Sequence, residues 1–330
     1  MKVGIIGGGS WGATLANLLS DNGHETLIFD INEAQVKGIN DTHQHPFFDT
    51  LLNEDVKATT NIKEAVEFSN VLLVGVPTKV IRNVLNQINE YSNEPKILIN
   101  VSKGIEPQTL LTVSQIAEEV MDEKKLQAVV TLSGPSHAEE VILRKLTVLV
   151  AASKNIEAAK LVQQLFSNNT YMRVYTSIDI IGVEVGGSVK NAIALISGVC
   201  TGLGLGENAR AALISRGALE VIRIVEVMGG LKETVYGLTG IGDLIVTASS
   251  MNSRNFQAGL KIGHGERIED VVANSRMVVE GARVIISAHE ISKKFNLELP
   301  IIETAYSVLY ENAPINEAIV SILSRQLKAE

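Results

Sequence analysis

Glycines 7, 9 and 12 stand between a short apolar run, Lys2–Ile6, and a segment, Trp11–Leu19, whose apolar residues recur at helical spacing. A strand that becomes a helix across Gly7-Gly8-Gly9-Ser10-Trp11-Gly12 has few folds open to it. The first glycine makes a tight turn, the second lets a ligand approach the backbone, and the third lets helix and strand pack closely. Gly23 stops the helix, and a second short run, Glu25–Phe29, ends at Asp30. This order of strand, turn, helix, strand and acid is that of the first unit of a doubly wound sheet.

The alternation continues. Val71–Val76, Lys96–Asn100, Val129–Leu132, Leu146–Ala151 and Tyr171–Tyr175 read as strands, with helical patterns over Lys79–Ile88, Leu110–Val120 and Ile156–Phe166. Strands apolar on both faces indicate a mostly parallel sheet covered by helices on both sides. Beyond Asp179 only helical patterns remain: Val185–Val199, Ala209–Val227, Phe256–Ile262, Val284–Phe295, Thr304–Tyr310 and Ile315–Leu327. The expected fold class is an α/β N-terminal domain of Rossmann type over residues 1–182 and an all-α C-terminal domain over 183–330. Apolar helical faces in the last hundred residues fit a homodimer.

Composition closes off several functions. Net charge is −8 without a basic run, which argues against nucleic acid. The single cysteine, Cys200, excludes an intrachain disulfide, and the six histidines show no metal spacing, so no metal is expected. His43 and His45 read as part of a polar loop. The N-terminus lacks a signal peptide, and no apolar run approaches a membrane span, so the expectation is a cytoplasmic protein without membrane insertion.

The Gly7–Gly12 turn, with a helix N-terminus behind it, fits the pyrophosphate of a dinucleotide. Asp30 at the end of the second strand suits the adenine-ribose hydroxyls and would repel a 2′-phosphate, so NAD is expected over NADP. Lys190 is the other conspicuous residue, the only charge between Val185 and Gly206. A desolvated ammonium needs a carboxylate, a route to water or a substrate. Val101–Glu106 puts Lys103 past the end of one strand, and Gly134-Pro135-Ser136 forms a turn after another. Ligands of open α/β sheets bind at such carboxyl ends.

These segments, with Val189-Lys190-Asn191, Gly204–Arg210, Gly240–Leu244, Ser253-Arg254-Asn255 and Val278–Gly281, occur in an order that resembles the NAD(P)-dependent glycerol-3-phosphate dehydrogenases of bacteria, from Val3 to about Leu327. The resemblance implies reversible hydride transfer between NAD(H) and a small phosphorylated triose, dihydroxyacetone phosphate, feeding phospholipid synthesis. It implies Lys190 as proton acceptor, and Lys103, Gly134, Ser136, Asp243, Ser253, Arg254 and Asn255 as substrate contacts. Ser10, Trp11, Lys103, Ala138, Arg254, Val278 and Glu280 are the implied cofactor contacts, beside Gly7, Gly9, Gly12 and Asp30. Two departures stand out. Phe29-Asp30-Ile31 replaces an NADP-suited pattern, and His45–Thr50 lacks the usual Tyr-Leu-Pro.

The residues allow separate chemical readings. Lys190 can protonate the alkoxide left by hydride attack if burial or a neighbouring cation, with Lys103 as candidate, brings its pKa toward neutrality. Ser253 as N-cap with Arg254 beside it suits a phosphate, or equally a surface cap with a solvated arginine. Asp243 could orient Lys190, hold a substrate hydroxyl or cap a helix. Glu280 could reach the cofactor or be a solvated helix-start glutamate. The rivals are a two-domain dehydrogenase acting on a hydroxy acid or ketopantoate, and a silent NAD-binding module.

Overall fold

The computed structural model describes residues 1–275 and 279–324. The chain folds into two compact units, Met1–Lys103 with Leu111–Glu184, and Gly104–Leu110 with Val185–Glu330.

The first unit is built on one sheet of eight strands: β1 (Lys2–Ile6), β2 (Glu25–Phe29), β3 (Lys57–Thr59), β4 (Val71–Val74), β5 (Lys96–Asn100), β6 (Leu126–Ser133), β7 (Thr147–Ala152) and β8 (Met172–Ser177). Their order is β3-β2-β1-β4-β5-β6-β7-β8. All pair in parallel except β6 with β7. The expected mostly parallel, doubly wound sheet is therefore present. Val3, Ile5, Ile28, Leu73 and Ile99 are buried in one core cluster, and Ile6, Leu72, Val74 and Leu98 in another. Consecutive residues of a strand point to opposite faces, so these continuous apolar runs bury both sides of the sheet.

Connection direction reverses at β1, which lies between β2 and β4, and such a switch point opens a crevice at the carboxyl ends of the strands. The helix Ser10–Asp21 starts there, with Gly9 as N-cap. The expected helix from Leu110 begins instead at Val113, because Gln108 and Leu110 adopt positive φ (71° and 60°).

The second unit is helical. Beyond Glu184 the helix Ile180–Gly202 continues into it, followed by Gly206–Val227, Asp243–Ser249, Arg254–Gly263, Glu280–Phe295, Pro300–Tyr310, Ile315–Leu323 and other short helices. Glu280–Phe295 and Pro300–Tyr310 pack on each other and on Gly206–Val227. The segment Gly104–Leu110, which the expected boundary left in the first domain, groups here because Ser287 Oγ donates to the Ile105 carbonyl (3.0 Å) and Gln108 N–H donates to Glu290 (2.9 Å). By length and composition Ile180–Gly202 could cross a membrane, contrary to the expectation that no segment could. Yet 89% of its most apolar window is buried within the protein, as in a core helix.

Candidate active site

In the first unit the expected ligand residues follow the carboxyl ends of β1, β2, β5 and β6. Gly7 follows β1 at φ +112°, and a Cβ on Gly12 would come 2.0 Å from the Gly7 carbonyl oxygen, so helix and strand touch through backbone. At Gly9 an added Cβ would meet nothing within 4 Å, and no side chain caps the helix that follows. Open space beside the Gly9 N-cap leaves room for a ligand at the start of this helix, where a pyrophosphate would sit. Ser10 is buried, and Trp11 packs its ring against the core.

Asp30, beyond the end of β2, uses both carboxylate oxygens on backbone: Oδ2 accepts from Gly8 N–H and Oδ1 from Asn32 N–H, each at 2.9 Å. It therefore builds the turn. Ile31 beside it is 85% exposed. His45, expected in a polar loop, is instead fully buried with its Nε2 2.8 Å from the Gly8 carbonyl.

Lys103 lies past β5 in a turn tied down from below. Asn100 Oδ1 accepts Ser102 N–H (2.9 Å), and Ser102 Oγ donates to the Val76 carbonyl (2.7 Å). Asn100 Nδ2 donates to the buried carboxylate of Glu184 (2.9 Å), which also accepts from Thr131 Oγ1 (2.8 Å) and Ser114 Oγ (2.6 Å). Burial pushes the Glu184 carboxyl up, against these hydrogen bonds. Gly134 follows β6 at φ +145°, and Ser136 Oγ donates to its carbonyl at 3.1 Å. Ala138 opens the short helix Ala138–Val141.

The second unit carries Lys190 and, among the described residues, Asp243, Ser253, Arg254, Asn255 and Glu280. Lys190 is 3% exposed, with Asp243 Oδ1 3.0 Å from its ammonium and the Thr247 hydroxyl as a further partner. Thr247 in turn donates to the Asp243 carbonyl (2.6 Å). Asp243, 2% exposed, follows a π-type turn in which Gly242 N–H reaches the Gly237 carbonyl (3.1 Å). Of the readings open for Asp243, the one that orients Lys190 matches this contact.

Ser253 caps the helix Arg254–Gly263 by accepting Phe256 N–H (3.3 Å). Arg254 is half-buried in its first turn. Asn255 donates to Asn191 Oδ1 (3.0 Å) and accepts Gly281 N–H (2.9 Å). That joins the Lys190 helix, the Ser253 turn and the start of the Glu280 helix. Glu280 is half-buried, and Val278 lies outside the described residues. Sequence reasoning missed Thr247 and Asn191 as partners of these side chains, although the four-residue step from Asp243 puts Thr247 on the same helix face.

Comparison with known proteins decides the lineage. Residues 2–159 match the family model of the NAD-dependent glycerol-3-phosphate dehydrogenase N-terminus, and residues 179–320 that of its C-terminus. The chain belongs to the NAD-dependent glycerol-3-phosphate dehydrogenases. The glycerol-3-phosphate dehydrogenase [NAD(P)+] of Acholeplasma laidlawii is 56% identical over 330 residues, covering 100% of this chain and 99% of its own. That of Listeria innocua is 45% identical over 331 residues, covering 100% and 98%. The crystal structure of glycerol-3-phosphate dehydrogenase from Coxiella burnetii superposes with a TM-score of 0.92 at 29% identity, covering 98% of this chain and 99% of its own. The expected family is thus confirmed, and the chain is an NAD-using oxidoreductase of the glycerol-3-phosphate dehydrogenase type.

Proposed function

We propose that this chain interconverts dihydroxyacetone phosphate and glycerol 3-phosphate with Lys190 as its general acid–base. The observation that carries the reading is a buried lysine, Lys190, 3% exposed, whose ammonium is held by Asp243 and Thr247. NAD(H), when bound, supplies or accepts the hydride. As the ketone oxygen gains negative charge, the Lys190 ammonium donates a proton to it, and in oxidation the neutral amine takes the hydroxyl proton back. While charged, the ammonium also polarises the carbonyl. Asp243 and Thr247 hold the amine in one direction, which spares the reaction the entropy of orienting it.

Ser253, Arg254 and the first turn of their helix are the proposed phosphate grip, with Lys103, Gly134, Ser136, Asp243 and Asn255 as further substrate contacts. A helix N-terminus and a guanidinium converge on phosphate by charge and by N–H geometry. Gly7, Gly9, Ser10, Trp11, Gly12, Asp30, Lys103, Ala138, Arg254, Val278 and Glu280 are the proposed cofactor residues.

The preference for NAD over NADP is supported by Asp30 and by a cavity of about 490 Å³ near the end of β2. Asn32, Gln35, Gln44, His45 and Phe47 are among its lining residues, and no lysine or arginine among the described residues lines it. The homodimer is supported by exposed Leu205, Leu219, Leu231 and Tyr236, and a cytoplasmic location is proposed with it. The proposed role is supply of glycerol 3-phosphate for phospholipid synthesis.

The test is NADH oxidation with dihydroxyacetone phosphate, beside unphosphorylated dihydroxyacetone and beside NADPH. Turnover only with the phosphorylated ketone, and better with NADH, is expected. Arg254→Ala should raise KM for dihydroxyacetone phosphate far more than that for NADH. Equal turnover of the unphosphorylated ketone would overturn the phosphate grip.

A further inference from the structure

Gly8 is held through both of its peptides by side chains from outside the turn. Its N–H donates to Asp30 (2.9 Å), and its carbonyl accepts from Gln35 Nε2 (2.6 Å) and from His45 Nε2 (2.8 Å). Two donors occupy both lone pairs of that oxygen. Gln35 belongs to the helix Glu33–Thr42, and His45 follows it in the loop that departs from the family pattern. Both are buried, and the imidazole packs beside the rings of Phe47 and Phe48, with centroids at 5.4 and 5.3 Å. Because His45 Nε2 donates to a carbonyl, Nδ1 is left to accept Phe47 N–H (3.4 Å), which is the neutral tautomer. Burial lowers the pKa of this ring, which also favours the neutral form.

The carbonyl of Gly8 and the N–H of Gly9 belong to one trans peptide and point in opposite directions. Anchoring the carbonyl inward therefore turns the Gly9 N–H outward. Gly9 is exposed, and the space at its Cβ position is open. As N-cap of Ser10–Asp21, it stands at the positive end of that helix. Two donors on the carbonyl also polarise the amide and strengthen its N–H as a donor.

We propose that Gln35 and His45 are positioning residues for the cofactor, fixing and polarising the Gly8–Gly9 peptide so that Gly9 N–H is presented to the dinucleotide pyrophosphate. The proposal rests on the reading of this turn as the dinucleotide site. It makes the altered loop a second-hand contributor to cofactor affinity, acting through the turn rather than on the ligand. Because Gln35 and His45 also line the neighbouring cavity, the alternative is direct contact with an adenosine group.

Ligands with and without a pyrophosphate separate the two. Trp11 is the only tryptophan, adjacent to the turn, and its fluorescence can report binding of ADP-ribose and of adenosine. Gln35→Met and His45→Phe keep volume and remove one donor each. Each should weaken ADP-ribose roughly five- to tenfold, the value of one hydrogen bond, and leave adenosine within about twofold. His45→Gln returns an N–H donor and should restore ADP-ribose affinity. A thermal melt confirms that each variant is folded. Equal losses for both ligands, or unchanged ADP-ribose affinity in both variants, would overturn the proposal. Wild-type protein that binds neither ligand would overturn the underlying reading of the turn as well.

Discussion

Lys190 and Asp243 form a buried pair, so neither can be removed without stranding the other. A lone buried carboxylate typically costs roughly 3–5 kcal/mol, whereas removing both charges can be nearly neutral. Lys190→Ala should lower kcat by about 10²–10⁴-fold and also lower the urea midpoint. Lys190→Ala combined with Asp243→Ala should recover much of the midpoint and none of the turnover. A double variant as unstable as Lys190→Ala would show that the pair is not what holds this region. Thr247→Val removes one ligand of the ammonium at nearly constant volume, and should lower kcat more than it changes KM. At this scale the sequence exposed Lys190, because one charge in a long apolar run is conspicuous. It did not expose His45. Nothing in Gln-His-Pro-Phe-Phe tells whether the imidazole turns toward solvent or toward the Gly8 carbonyl, a contact 37 residues away.

The Ser253 turn reaches Asn191, next to Lys190 in sequence, through Asn255, and the two helices involved touch through backbone. A Cβ on Gly259 would stand 1.9 Å from the Leu195 carbonyl oxygen, and one on Gly198 would stand 2.1 Å from that of Phe256. Gly202 and Gly263 face each other in the same way. Gly259→Ala should therefore push the helices apart and cost roughly 3 kcal/mol, at the upper end for overpacking, with KM for dihydroxyacetone phosphate raised. Gly186→Ala is the control. Its Cβ would meet only Val225, at 3.9 Å, and better helix propensity should stabilise the protein by roughly 0.5–1 kcal/mol. A thermal melt of both variants checks the contrast, and similar melting temperatures would refute it. The glycines at 198, 202, 259 and 263 were visible as spacings of four, yet a single sequence cannot say which two helices they bring together. Strands legible as continuous apolar runs, such as β1, β2 and β5, match their expected bounds. β3 was not legible, because only Ala58 of Lys57-Ala58-Thr59 is buried. The antiparallel turn from β6 to β7 was not legible either. Its linker holds only the four-residue helix Ala138–Val141, too short for a parallel crossover.

At the scale of the whole molecule, buried and partly buried titrating groups make stability depend on pH in opposing ways. His24, His45 and His289 have pKa values lowered chiefly by burial, so their contribution is present above the unfolded value of 6.5 and fades as pH falls. Glu220 works the other way. It is 2% exposed, and burial pushes its carboxyl from 4.5 up to about 7, although it accepts Ile301 N–H (2.7 Å) and Ile302 N–H (3.0 Å) at the start of the Pro300–Tyr310 helix. The folded state therefore holds the proton more tightly than the unfolded chain. That contribution is complete below pH 4.5 and is lost as pH rises through about 7, a swing on the order of 3 kcal/mol. Glu220→Gln keeps an acceptor oxygen and cannot titrate, so the histidine contributions cancel when the two proteins are compared at each pH. The unfolding free energy of the wild type minus that of Glu220→Gln, from urea titrations, should fall steadily between pH 4.5 and 8. A flat difference would mean that the carboxylate at the Pro300 helix titrates as it does in the unfolded chain, and that its two backbone hydrogen bonds offset the whole cost of burying its charge.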